Sequence, residues 1–229
     1  MIDWERGFRS NGIVFAVFFI IASVISGSQP NVGAPAAELV SFYDGHRTGI
    51  LIATVIFGFA VLCLLWFAAA LSSALRDAGQ DTWATAATAA SADVGVAFIV
   101  LITLSATLAY SVASSGNDQI LSGLNDLVWV LKVLASFPAA MLIMAGTFGL
   151  RQAGLISRVS FGAGVAAVVL VLLGATTWAG DGFWTPSGAY TRFISPIVGL
   201  VWIVVVSGFL YRLSPSMVRT PERAAVSAG

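Results

Sequence analysis

Six long apolar stretches run along the chain and are separated by short polar segments. Each approaches the ~20 residues that an α-helix needs to cross a hydrocarbon core of ~30 Å, because the helix rises about 1.5 Å per residue. The stretches do not alternate between apolar and polar positions as the strands of a membrane β-barrel do. The pattern therefore predicts an all-α integral membrane protein, a bundle of six transmembrane helices over residues 12–26, 48–75, 93–113, 126–150, 159–179 and 194–213.

Arginine residues lie unequally on the two sides of these predicted spans. Eight flank one side (Arg6, Arg9, Arg76, Arg151, Arg158, Arg212, Arg219 and Arg223) and two flank the other (Arg47 and Arg192). Cytoplasmic loops carry the excess of Lys and Arg in membrane proteins, so both termini are expected in the cytoplasm. The sequence predicts a single multi-pass domain in the cell membrane over residues 1–213, followed by a polar cytoplasmic tail over 214–229.

Local sequence signals refine this picture. The long loop between the first two spans is predicted to carry an interfacial helix over residues 36–43. Pro138 lies inside the fourth span, where its missing N–H is expected to bend the helix and leave one carbonyl of the preceding turn without its partner. Gly164 and Gly199 each follow a serine by four positions, which predicts close contacts between helices.

Composition excludes most soluble functions. Hydrophobic residues make up 58% of the chain and charged residues only 10%, against about 25% charged residues in soluble domains. Eleven Lys and Arg balance eleven Asp and Glu without a basic stripe, so nucleic acid is excluded as a partner. Cys63 is the single cysteine and His46 the single histidine, so we expect no intrachain disulfide, no metal site and no cofactor.

Three ionisable groups lie at or inside the predicted spans, where such groups are costly and commonly functional: Asp93, Asp126 and Lys132. Lys132 lies about 9 Å into the fourth span. Its ammonium either extends outward to the interface or faces inward and pairs with a carboxylate of another segment, of which Glu38, Asp44 and Asp181 are candidates. Asp93 either caps the third helix or, if that helix begins near Asp81, lies several turns inside it.

Acidic and aromatic residues from four segments are expected to meet at the outer end of the bundle. They precede the second span, open the fourth, follow the fifth and precede the sixth: Tyr43, Asp44, His46, Arg47, Asn125, Asp126, Trp129, Trp178, Asp181, Trp184, Tyr190 and Arg192. One interpretation is an aromatic belt with solvated loop charges. The other is a functional site in which a carboxylic acid lies beside aromatic ring faces.

Acids beside aromatic rings suit protonation of an alkene or epoxide. A carboxylic acid whose pKa is raised by apolar surroundings donates the proton, and ring faces stabilise the resulting carbocation. Candidate proton donors are Asp126, Asp44 and Asp93. Candidate substrate-binding residues are Trp129, Trp184, Tyr43 and Trp66, with Lys132 and Arg47 orienting the carboxylates through charge-assisted hydrogen bonds.

Several short motifs resemble those of known membrane proteins. They are the stretches FYDGHR at 42–47, LLWF at 64–67 and ASFP at 135–138, with Arg76 and Gly146. Together with six spans, they resemble a group of actinobacterial membrane proteins that mostly lack an assigned function. In size and hydropathy the chain is also similar to small integral-membrane terpene cyclases of the drimentine-cyclase type. That resemblance implies cyclisation started by an acidic residue that protonates a prenyl chain.

The leading hypothesis is therefore a membrane-bound terpene cyclase that acts by protonation on an isoprenoid chain in an aromatic-lined pocket. The aspartate-rich magnesium motif of diphosphate-ionising synthases is absent from the sequence. One alternative is a small-molecule transporter or substrate-capture subunit, and another is an accessory membrane subunit. Expected partners are the lipid bilayer, a hydrophobic small-molecule substrate, and a second copy of the chain or a partner membrane subunit.

Overall fold

The computed structural model describes residues 4–213, with side chains from Gly7 onward, and this part of the chain is helical without a β-strand. The predicted tail over 214–229 lies outside the described residues. The α-helices are α1 (Trp4–Ser26), α2 (Ala36–Gly45), α3 (Arg47–Asp77), α4 (Asp81–Thr107), α5 (Asp118–Leu134), α6 (Ser136–Gln152), α7 (Arg158–Gly174) and α8 (Ser195–Arg212). π-Helical turns at Leu108–Val112 and Tyr190–Ile194 follow α4 and precede α8. The predicted all-α class is confirmed.

Within the described residues, five helical segments are long and apolar enough to cross a membrane. They are Gly7–Ser26, Arg47–Asp77, Asp81–Val112, Asp118–Gln152 and Tyr190–Arg212. The fifth predicted span forms the shorter α7, whose 17 residues rise roughly 25 Å. A helical membrane bundle is therefore supported, with five segments of spanning length.

The helix α7 ends earlier than the sequence pattern predicts. The predicted span reaches residue 179, whereas the helix stops at Gly174. The hydroxyl groups of Thr176 and Thr177 donate hydrogen bonds of 2.8 Å to the carbonyls of Leu173 and Gly174. These bonds satisfy carbonyls that another helical turn would use, so the chain leaves the helix there.

The predicted interfacial helix is present as α2, which begins at Ala36 as expected and extends two residues beyond Tyr43. The helix α4 begins at Asp81, about three turns before Asp93. Asp93 therefore does not cap a helix, and of the two interpretations the one that places it inside the helix is correct. Its side chain is exposed on the outer surface of the bundle.

The fourth predicted span is interrupted at Ala135, which separates α5 from α6. The interruption lies one turn before Pro138, whose ring nitrogen cannot donate to the carbonyl of Leu134. Backbone hydrogen bonds continue on either side of that position, from Ala135 to Leu131 and from Ala139 to Ala135, and the predicted bend stays a prediction. The two halves have different neighbours. The helix α6 packs against α4, α7 and α8, whereas α5 packs mainly against α2, α4 and the π-helical turn after α4. Both α5 and α8 line a cavity at this end of the bundle.

Close packing holds α6, α7 and α8 together below this space. A Cβ at Gly164 would lie within 3.0 Å of Thr147 side-chain atoms, and one at Gly174 would meet the Ser136 and Ser195 hydroxyl oxygens at 2.7 and 2.9 Å. The predicted contact at Gly164 is thus confirmed. The predicted contact at Gly199 is wrong, because no atom lies within 4 Å of a Cβ built there and the residue faces a cavity.

Candidate binding site in the bundle

A cavity of about 710 Å³ lies inside the bundle, towards the end where α1 stops and α8 begins. Its walls come from all the helices of the bundle, and along α3 they extend from Ile50 to Leu64, about 21 Å at the helical rise. The volume lies within the ~300–1,000 Å³ range of small-molecule sites. The length exceeds half of a ~30 Å bilayer core, so the space suits an extended chain.

Phenylalanine rings form much of the deep wall. Phe19 lies between Phe15, Phe57 and Phe98, with ring centroids 5.8, 5.3 and 5.7 Å away and mostly edge-to-face geometry. All four rings line the cavity. Edge-to-face clusters of this kind hold each ring in a fixed orientation, so the wall is apolar and well ordered.

Two cations lie at the polar end of the cavity, on the ring of Trp129. The Lys132 Nζ is 3.9 Å from the ring centroid and the Arg192 Cζ is 4.9 Å from it. The two charged groups are therefore no more than about 9 Å apart. Both side chains line the cavity, and cation–π contact offsets part of the cost of removing them from water.

The hydrogen-bond acceptors of both cations are neutral. Lys132 donates to the Gln29 Oε1 at 2.7 Å. Arg192 donates to the Ser28 Oγ at 2.7 Å, to the Gln29 carbonyl at 3.0 Å and to the Asn31 Oδ1 at 2.9 Å. In the described part of the chain neither cation forms an ion pair with a carboxylate. The inward ion pair suggested for Lys132 from the sequence is therefore absent among these residues.

Residues 28–33, here called the cap segment, are held over this end of the cavity by α5. The Trp129 Nε1 donates to the Pro30 carbonyl at 2.8 Å, and the Gly33 N–H donates to the Asp126 Oδ1 at 3.0 Å. Gly33 has a φ of +70°, a conformation that costs glycine little. The segment thus follows a fixed path that places Gln29 beside Lys132.

Asn125 links the cap segment to α2 and α5. It is fully buried, and its Oδ1 accepts from the Tyr43 hydroxyl at 2.9 Å and from the Gln29 Nε2 at 3.2 Å. Its Nδ2 donates to the Asn31 carbonyl at 3.1 Å and lies 3.4 Å from the Asp126 Oδ1. Burial raises the pKa of the Tyr43 phenol well above its usual range, so the hydroxyl remains a proton donor to Asn125.

Helical spacing explains how α5 presents these groups together. Asn125, Trp129 and Lys132 follow at intervals of four and three residues, which places them on one face of a helix. Asp126 is one position off that face and is half-buried behind it. Arg192 arrives from the π-helical turn before α8, a local widening that often occurs at functional sites.

The structure brings together part of the predicted site. Tyr43, Trp129 and Lys132 line the cavity, and Asp126 adjoins them through Asn125. Asp44 is exposed and does not line the cavity. Among the described residues that line it, the ionisable groups are Tyr43, Lys132 and Arg192, and none is a carboxylate.

The other predicted residues lie elsewhere. Arg47 is exposed, with its guanidinium carbon 5.3 Å from the Tyr110 ring centroid. Trp66 is 50% exposed and stacks on Phe8, with ring centroids 4.5 Å apart. Asp93 lies on the outer face of α4.

Trp184 lies in the loop before α8, outside the cavity lining. Its Nε1 donates to the Thr176 carbonyl at 2.9 Å, and its ring contacts Tyr190. The indole therefore supports the end of α7 and the turn before α8, and does not reach the space beside Trp129.

Sequence reasoning missed the contribution of the cap segment and of the phenylalanine wall. Gln29 and Asn31 are polar loop residues of a common kind, and no local pattern marks them as ligands of Lys132 and Arg192. A usable signal was the spacing of Asn125, Trp129 and Lys132, which places a buried amide, an indole and an ammonium on one helix face.

The chain matches no family model, no curated protein and no solved structure. The actinobacterial and terpene-cyclase resemblances therefore stay predictions from sequence, and the geometry of the cavity carries the functional argument.

Proposed function

We propose that the protein binds a long apolar molecule, an isoprenoid or acyl chain, inside the bundle and takes it from the lipid bilayer. The observation that carries this proposal is the apolar cavity, about 21 Å long against α3 and walled by Phe15, Phe19, Phe57 and Phe98. A hydrophobic ligand that fills an apolar space of about 710 Å³ leaves water and gains packing contacts with the walls.

The rim of the cavity supports entry from the side. Four apolar residues both line the cavity and are strongly exposed: Ile20 and Val24 on α1, Phe193 in the π-helical turn before α8, and Ile197 on α8. The same two helices are in close contact further along, where Gly12 meets Ser207 and Ile203. We infer that α1 and α8 diverge towards the cap segment and leave an opening that faces the lipid.

The proposed placement in the membrane follows the arginine distribution. The bundle has six spans, with α7 completing its crossing through the non-helical residues after Gly174, and both termini are cytoplasmic. The cap segment and the two cations then lie near the outer interface of the membrane. Lys132 is close enough to that interface for its ammonium to reach polar surroundings.

Cyclisation of the bound chain is a second candidate function, favoured by the phenylalanine wall. Aromatic faces stabilise carbocations, and a closed apolar space protects them from water. A protonation-initiated cyclase also needs an acid that reaches the substrate. Asp126 adjoins the cavity residues through Asn125, which lies between it and Tyr43. Substrate capture or transport needs no such acid and requires only the cavity.

Filling the cavity tests the proposed function. In Gly199→Phe the new side chain starts in open space and projects from a residue that lines the cavity. Gly208→Phe is the matched control, because Gly208 lies on the same helix, also has no atom within 4 Å of a Cβ, and does not line the cavity. The measurement is saturation binding of tritiated geranylgeraniol to the purified protein in phosphatidylcholine nanodiscs.

We expect Gly199→Phe to abolish saturable binding and Gly208→Phe to retain it. Equal binding by both variants, with both folded, would show that the ligand does not use this cavity. Mass analysis of the extracted ligand separates the two candidates. A cyclised product of unchanged mass and new retention time indicates a cyclase, whereas recovery of unchanged geranylgeraniol indicates capture or transport.

A further inference from the structure

We propose that Lys132 and Arg192 form a head-group site for an anion, so that the ligand of the cavity is an amphiphile with a phosphate or carboxylate at one end of a long apolar chain. This inference rests on the proposed function, because it specifies which end of the bound chain meets the cap segment.

The position of the cations is the first observation. Both line the same cavity, whose deep wall is formed largely by apolar side chains, and both contact one indole, that of Trp129, at 3.9 and 4.9 Å from its centroid. A head group that lies between the two cations would contact both, and its chain would extend along the phenylalanine wall.

The charge balance is the second observation. Two like charges within about 9 Å of each other repel, and removing each from water adds a further cost. A partly buried cation usually meets a carboxylate that offsets these costs. Here the described partners are an amide oxygen, a hydroxyl and a carbonyl. An anionic head group would supply the counter-charge to both cations together.

The remaining hydrogen-bond capacity is the third observation. Lys132 has three N–H groups and Arg192 has five. Lys132 uses one of them on Gln29, and Arg192 uses three on Ser28, Gln29 and Asn31. Two donors therefore remain on each side chain. These bonds to the cap segment also fix the direction of both cations, which reduces the entropy lost when a ligand binds.

The test compares ligands that differ only at the head. Geranylgeranyl monophosphate and geranylgeraniol share one chain, as do oleate and oleyl alcohol. Binding is measured with the full chain in phosphatidylcholine nanodiscs, for the wild type, Lys132→Gln and Arg192→Gln. Arg47→Gln is the control, because Arg47 is a cation near α2 that does not line the cavity.

The wild type is expected to bind each anionic ligand at least about tenfold more tightly than its alcohol, as charge-assisted hydrogen bonds predict. Lys132→Gln and Arg192→Gln should each remove most of this preference and leave the affinity for the alcohols. Arg47→Gln should change neither. Retained alcohol binding shows that the variants are folded and keep the cavity.

Two outcomes would overturn the head-group site. If the wild type binds each anionic ligand no more tightly than its alcohol, the head-group site is refuted and the proposed function stays in place. The same conclusion follows if Lys132→Gln and Arg192→Gln both keep the wild-type preference for the anionic ligands. If neither chain binds at all, the proposed function fails as well. The arms also separate sources of the anion: a preference for monophosphate over oleate indicates a phosphate head, and the reverse indicates a carboxylate.

Inorganic phosphate alone is the final arm. Its affinity is measured directly for the wild type and for Gly199→Phe, and by displacement of the lipid phosphate from the wild type. If phosphate displaces the lipid phosphate at millimolar concentration and binds both proteins with the same affinity, the cations bind a soluble anion independently of the cavity, and the amphiphile proposal is wrong.

Discussion

Asn125→Leu is expected to destabilise the protein by about 2 kcal/mol or more. The buried amide joins Tyr43, Gln29 and Asn31, each within 3.2 Å. Leucine has a similar volume but no polar atom, so the Tyr43 hydroxyl and the Asn31 carbonyl lose their partner. An unsatisfied buried polar group costs about 1–3 kcal/mol, and the added apolar contact returns only about 1–2 kcal/mol of the total.

The assay is reversible unfolding by sodium dodecyl sulfate in mixed micelles, followed by circular dichroism. Asn11→Leu is the matched control, since within the described residues the Asn11 amide donates to the Gly7 carbonyl of its own helix at 3.4 Å and to no other group. A double-mutant cycle with Tyr43→Phe should give a coupling of about 0.5–1.5 kcal/mol for the Tyr43–Asn125 bond. If Asn125→Leu lowers the free energy of unfolding by no more than Asn11→Leu does, the Asn125 amide does not hold the cap segment in place.

Further expected outcomes concern helix packing and the acidic residues. Gly164→Ala should lower the free energy of unfolding by about 1–3 kcal/mol in the same assay, because its Cβ would overlap the Thr147 side chain. Gly162→Ala is the control: no atom lies within 4 Å of a Cβ there, so the change should stabilise α7 by up to about 1 kcal/mol. Equal effects of the two substitutions would refute the packing argument. Asp93→Asn and Asp44→Asn should bind geranylgeraniol with wild-type affinity in the nanodisc assay, since neither residue lines the cavity; a weakened affinity in either variant would contradict that placement.

Helix formation in this chain was predictable because a bilayer imposes it. Lipid offers no hydrogen-bond partner for the backbone, so long apolar runs must form helices, and α1, α3, α4 and α8 follow the predicted pattern. The interruption at Ala135 was also predictable, because proline removes one donor wherever it stands. The short length of α7 was not, since it depends on the Thr176 and Thr177 hydroxyls bonding to the backbone.

The candidate site was harder to predict, because its residues come from segments that are distant in sequence. Arg192 lies 161 residues or more from its partners Ser28, Gln29 and Asn31. Nothing in the order of residues indicates that the loop after α1 folds over α5. The aspartates attracted attention because a charge near a membrane span is usually functional. The side chains of Asp44 and Asp93 are instead exposed on the surface. The charged side chains that line the cavity, among the described residues, are the cations Lys132 and Arg192.

The two halves of the fourth span, which meet at Ala135, contact different parts of the bundle. Below Ala135, α6 packs closely enough for Gly146 to accept the Trp202 ring, where a Cβ would lie 2.7 Å from two of its atoms. Above Ala135, α5 contacts α2, α4 and the π-helical turn after α4, and its residues Trp129 and Lys132 line the cavity that α8 also lines. The ring of Pro138 removes one backbone hydrogen bond at Leu134, at the junction between these two sets of contacts. Pro138 therefore acts on the span without lining the cavity.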